Sequence, residues 1–171
     1  MPDLLTHVLV GYAIGTALSV LYGWFDRGHV TLVMLGALSP DLAKVDLVVP
    51  AIVVSDLLGV PFRWSALHTV VGSVLAAALC VLLFAPEYRR TVLALVALGA
   101  ASHHLLDLGL VTPTGESYAV FWPLTSVRLP AGDLYLSTDR WPALVAGTCA
   151  ALARAVARRR EHREGDATTA D

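Results

Sequence analysis

TVLALVALGAASHHLLDLGLV, residues 91–111, is twenty-one residues of almost unbroken apolar sequence interrupted by Ser102-His103-His104-Leu105-Leu106-Asp107. Four residues separate His103 from Asp107, so on a helix the two share a face one turn apart. Ionisable side chains are costly inside an apolar span and face a protein interior or a wet cavity when they occur there. A lone pair of this kind serves equally well as a structural His–Asp hydrogen bond between helices. The other apolar runs decide between these readings, because lone polar residues of the same type recur in them at a matching depth.

Of the 171 residues, 56% are hydrophobic and 15% are charged, against about 25% charged in an ordinary soluble domain. The deficit fits a chain surrounded largely by lipid. A net charge of −2 points to no polyanionic partner, and no nucleic-acid-binding motif is present. Cys80 and Cys149 have no metal-ligand spacing and form no disulfide framework. Residues 4–22 are apolar apart from His7, close to the roughly 20 residues a bilayer span needs. Gly11, Gly15 and Ser19 repeat every four residues there, a spacing that lets a second helix approach closely. A second apolar run, 30–50, is broken at Ser39-Pro40-Asp41, since proline removes a backbone donor and disfavours helix before it. A connector, 55–65, leads to a third span over 66–85, with His68 in its first turn. Residues 91–111 are the fourth span and 142–157 a shorter fifth. Between them, 112–141 is rich in proline, glycine and aromatic residues and suits a membrane interface. These boundaries predict an all-α protein, a multi-pass transmembrane bundle of about five spans with a long interfacial loop. One domain occupies 1–157, and 158–171 is expected to be a charged, disordered cytoplasmic tail.

Arg27, Arg89-Arg90 and the arginines from Arg154 to Arg163 flank the spans on one side, which the positive-inside rule makes cytoplasmic. His7, Asp41, His68, His103 and Asp107 then all fall in the outer half of the bilayer, beneath the two outer connectors. Three imidazoles and two carboxylates suit zinc, and less specifically manganese or iron. Such a site acidifies water and polarises a phosphoryl or carbonyl oxygen. Its depth suggests a lipid or lipid-linked substrate. Each residue also has a plainer role open to it. His7 and His68 can serve as helix-start residues, and Asp41 as a cap. His104 points about 100° away from His103 and reads as a packing or outer residue rather than a ligand. Asp46 pairs with Lys44 or acts as an outer ligand. Arg128, in the long loop, meets a phosphate or a lipid headgroup. His29 and His162 sit in polar flanks and are expected to face solvent.

Thr6-His7, Leu38-Ser39-Pro40-Asp41, Leu67-His68-Thr69 and Ser102-His103-x-x-x-Asp107, in that order, resemble the membrane-bound metal-dependent hydrolases. That family is also described as LexA-binding, inner-membrane-associated hydrolases. Thr112-Pro113-Thr114-Gly115, Trp122-Pro123-Leu124 and Arg128 match its segment after the His-x-x-x-Asp motif, so the resemblance covers about residues 1–130. The family is similar at a distance to zinc-dependent phospholipases C and related single-strand nucleases, whose ligands follow the order His, Asp, His, His-x-x-x-Asp. The resemblance therefore implies His7, Asp41, His68, His103 and Asp107 as metal ligands. Ala43 stands where the family often has a second acid, Arg63 and Ser65 lie where it often has a further histidine, and a second His-x-x-x-Asp is missing. These departures imply one or two ions rather than three.

The expected function is that of a membrane-bound, metal-dependent hydrolase acting on a phosphoester, with Asp41 or Asp107 as base and Arg128 steadying the phosphate. Two other classes remain open: a transporter or proton- or metal-handling protein using the same buried cluster, and a non-catalytic membrane scaffold.

Overall fold

Helix boundaries follow local chemistry. The computed structural model describes residues 4–168 and is all-helical, with six α-helices and no strand among the described residues. After α1 (Leu4–Leu21), Asp26 caps α2 (Arg27–Leu38). Its carboxylate accepts the His29 backbone N–H at 3.0 Å, and His29 Nδ1 accepts the Asp26 N–H at 3.2 Å. The His29 backbone N–H holds the Asp26 carboxyl below its ordinary range. His29 is thus a half-buried capping residue rather than a solvent-facing one, whereas His162 is exposed.

Proline ends α2 as its chemistry predicts, and a 3-10 segment, Ser39–Leu47, comes next with Pro40 in its first turn. Asp46 accepts the Ala51 N–H at 2.8 Å and so starts α3 (Ala51–Leu58), which stops at the left-handed Gly59. A second 3-10 segment, Trp64–His68, precedes α4 (Val70–Val81), which Thr69 caps through the Gly72 N–H at 3.0 Å. His68 therefore lies just before α4, the helix of the third expected span, and not in its first turn. α5 (Arg89–Leu108) and α6 (Trp141–Thr168) complete the set. α6 runs on through Arg158–Arg160, where the charge pattern predicts a disordered tail. Alanine, arginine and glutamate are strong helix formers, and Arg154 meets Glu161 across two turns at 3.4 Å. Residues 169–171 of the expected tail lie outside the described residues.

α1 packs on both α6 and α2, α2 packs also on α5, and α5 on α4. The α2–α5 crossing is the tightest. A Cβ on Gly99 would lie 2.1 Å from the Val33 carbonyl oxygen, and one on Gly36 would lie 2.2 Å from that of Val96. Only glycine lets the two backbones meet there. The α1 glycines act in the same way: Gly11 faces Ala37, and Gly15 faces Val30.

Buried polar groups share the interior with an apolar core, and much of the exterior is apolar as well. His7, Thr16, Asp41, Ser73, His103, His104 and Asp107 are buried, while Leu75, Leu79, Leu105, Leu144 and Leu152 are exposed on the outer faces of α4, α5 and α6. An apolar exterior of this extent requires an apolar surrounding. α1 and α5 are long and apolar enough to cross a membrane; α4, at 12 residues, is apolar but shorter. Five complete spans are therefore not what the helix lengths give, because α2 and α4, of 12 residues each, reach only about 18 Å.

The long loop is folded back on the bundle. The Val70 N–H donates to the Val120 carbonyl at 2.9 Å, that of Val111 to Tyr135 at 2.8 Å, and that of Gly132 to Leu108 at 2.7 Å. The Tyr135 hydroxyl donates to the Leu106 carbonyl. Burial pushes the Tyr135 phenol up to about 12, so it remains a donor.

Valine at Gly99 must push the two helices apart. The expected loss is about 3 kcal/mol or more, at roughly 2–4 °C of melting midpoint per kcal/mol for a chain of this size. Gly23→Ala, which meets nothing within 4 Å, should stay within about 0.5 kcal/mol of wild type. Thermal melts of the two variants in detergent check this.

Candidate metal centre

One end of the bundle collects the polar side chains of four separate chain segments. α1 brings His7, the 3-10 segment after α2 brings Asp41, the one before α4 brings His68, and the last turns of α5 bring His103 and Asp107. The Asp107 carboxylate lies between the three imidazoles. His68 Nε2 is 2.7 Å from Oδ2, His103 Nε2 is 3.4 Å from Oδ2, and His7 Nε2 is 3.5 Å from Oδ1. The rings of His7 and His103 stack with centroids 3.7 Å apart. All five residues are buried, and His7 and His103 are fully so.

Backbone carbonyls set the ring orientations. His103 Nδ1 lies 2.8 Å from the Ala37 carbonyl and His68 Nδ1 lies 3.2 Å from that of Pro40. A carbonyl only accepts, so each Nδ1 carries the proton and donates it. In the neutral ring, Nε2 is then a lone pair, and both Nε2 atoms aim that lone pair at the Asp107 carboxylate. Lone pairs facing an anion at 2.7–3.4 Å require a positive centre among them, either a proton or a metal ion. The unsatisfied atoms say the same. His7 Nδ1 and Nε2, His103 Nε2, Asp41 Oδ1 and Asp107 Oδ1 are buried without a hydrogen-bond partner among the described residues. Such groups are rare and expensive in a finished interior.

Two sets of donors fit a divalent ion: His7, His103 and Asp107, and Asp41, His68 and His103. Within each set the donor atoms lie within 4.8 Å of one another, and His103 belongs to both. Mixed imidazole and carboxylate donors, with ring protons anchored on carbonyls, have the composition and outer support of zinc-type sites. Asp41 offers one oxygen, because Lys44 Nζ holds its Oδ2 at 2.8 Å. The pairing expected between Asp46 and Lys44 is not made: Lys44 bonds Asp41, and Asp46 accepts the Ala51 N–H.

His104 stands outside the cluster. Its Nε2 bonds the Ser73 hydroxyl at 2.8 Å, and its Nδ1 bonds the Tyr118 hydroxyl at 2.6 Å. Tyr118 lies against the His68 ring, with centroids 4.9 Å apart. Burial raises the phenol well above its usual range, so the hydroxyl keeps its proton. Arg128 is not among the converging groups either. It lines a cavity of about 560 Å³ that also touches His68, Tyr118, Trp122 and Arg63. Ser73 and Tyr118, and the place of Arg63 in this cavity, escape the sequence reading. Tyr118 reads there as one more interfacial aromatic, and no local signal announces that the loop returns to α4 and α5.

Arg27, Arg154 and Arg160 line a separate cavity of about 530 Å³ with Ser19 and Val20, beside the C-terminal end of α1. Three of the arginines that form one flank in the sequence thus lie around one cavity, whereas His7, near the start of α1, belongs to the cluster.

No curated protein and no solved structure matches the chain. A protein-family model described as YdjM inner membrane protein matches residues 1–167. With a match over nearly its full length, the chain belongs to the YdjM inner membrane protein family.

Proposed function

We propose that this chain is a multi-pass inner-membrane hydrolase in which His7, Asp41, His68, His103 and Asp107 hold one or two divalent ions, zinc foremost, for attack of water on a phosphoester of a lipid or lipid-linked substrate. The observation that carries the reading is the convergence of imidazole lone pairs and unpartnered carboxylate oxygens at one buried point. An ion bound there supplies an acidified water and a Lewis acid for the phosphoryl oxygen. The protein does the rest. Ala37 and Pro40 hold the His103 and His68 rings with Nε2 inward. Asp41 Oδ1 and Asp107 Oδ1 are both without a hydrogen-bond partner, and whichever of them the ion does not engage is the proton acceptor of this reading. Arg128, at the mouth beside His68, is placed to meet the phosphate.

In this reading α2 and α4, each extended by its 3-10 segment, and the apolar part of α6 complete the crossing begun by α1 and α5. The N-terminus is outside, the arginine-lined end is cytoplasmic, and the cluster lies in the outer half of the bilayer. The 2.7 Å approach of His68 Nε2 to Asp107 favours a second reading, in which a proton is the positive centre and the cluster relays protons.

Elemental analysis separates the two. The detergent-purified wild type should hold one or two zinc or manganese ions, and His103→Ala/Asp107→Ala should hold none. A well-folded wild type free of metal would favour the proton reading. His104→Ala removes support for Tyr118 rather than a donor, so its loss of metal affinity should stay within about tenfold, well short of that for His103→Ala. The reverse order would exchange the roles of the two histidines. A cysteine at Thr114 should react with a membrane-impermeant maleimide on intact cells; reaction only after lysis would invert the topology.

A further inference from the structure

The cavity beside His68 has a chemistry of its own. Arg63 comes from the connector before α4 and Arg128 from the long loop, yet both line this one space, with Ser65, Thr69 and Trp122. Neither guanidinium has an ion pair or hydrogen bond among the described residues, and no carboxylate lines the cavity. Two unpaired guanidiniums in one concave space, without a counter-anion, make a region of positive potential that attracts an anion. Their planar forks match phosphate geometry.

The chain ahead of each arginine exposes apolar side chains, and one of them, Trp122, lines the cavity. Phe121, Trp122, Leu124 and Val127 are exposed on the loop between Tyr118 and Arg128, and Leu57, Leu58 and Val60 are exposed just ahead of Arg63. A water-soluble phosphoester has no use for such a rim, whereas acyl chains do. Aromatic residues beside arginines also suit the level where lipid headgroups lie.

We infer that Arg63 and Arg128 form a two-guanidinium clamp for the phosphate of a lipid with a net negative headgroup, which enters along the apolar rim and presents its phosphate to His68. The fate of the bound lipid rests on the hydrolase reading, but the clamp itself involves none of the five buried residues as a binding group.

Native mass spectrometry of the full chain, released from detergent, tests it. The probe is the dioleoyl phosphonate analogue of phosphatidic acid, which cannot be turned over, beside dioleoyl phosphatidylcholine. Wild type should retain one phosphonate lipid in at least about tenfold preference to phosphatidylcholine, and Arg63→Gln or Arg128→Gln should each weaken retention by about tenfold. The double variant should lose the preference while keeping wild-type metal content and melting midpoint. An unchanged preference in the double variant overturns the clamp. Displacement of the lipid by an equal concentration of inorganic phosphate overturns the lipid assignment in favour of a soluble phosphoester. A metal-free wild type that still shows the arginine-dependent preference would sink the hydrolase reading and leave the clamp standing.

Discussion

The Asp107 carboxylate is the constraint around which the rest of the molecule is arranged. It stands within 3.5 Å of three imidazole nitrogens drawn from α1, α5 and the segment before α4. Two of those rings have already given their other nitrogen to a backbone carbonyl, so they cannot turn away without orphaning a buried acceptor. Such a cluster is stable only with a positive centre among its members, and a function for the cluster is a statement about what that centre is.

Bringing these groups together requires backbones to meet at distances that side chains normally forbid. Gly36 and Gly99 let α2 and α5 touch, and this contact sets the Ala37 carbonyl against His103. The break at Pro40 then turns the chain so that its own carbonyl reaches His68 while Asp41 points inward. A helix continuing unbroken through residue 40 would keep its carbonyls for its own hydrogen bonds and leave His68 without an anchor. The close packing and the broken helix are thus two parts of one arrangement, which is tolerable in an apolar medium because the irregular backbone faces protein.

The loop over residues 112–141 converts a buried cluster into a site with a mouth. It is tied to α4 and α5 through the Val120, Tyr135 and Leu108 carbonyls. It also sets Tyr118 against His68 and carries Trp122 and Arg128 to the edge of the same cavity. His104 serves this loop through Tyr118 rather than the cluster directly, which explains two adjacent histidines with different partners.

Much of this is legible in the residues themselves. The apolar runs, the proline break, the small-residue spacing on α1 and the His-x-x-x-Asp turn arise from side-chain chemistry within a few residues of each other, and that is the range over which sequence patterns act. The five cluster residues are legible because a polar group in an apolar run is conspicuous wherever it lies. The tertiary structure alone decided that Lys44 turns to Asp41, that His68 precedes its helix, that α2 and α4 are short, and that α6 continues past its arginines. It also decided that Arg63 and Arg128 share a cavity although 65 positions apart in the chain. Those outcomes depend on contacts between distant segments, and an arginine or tyrosine in a loop has no local period or neighbour that announces its partner.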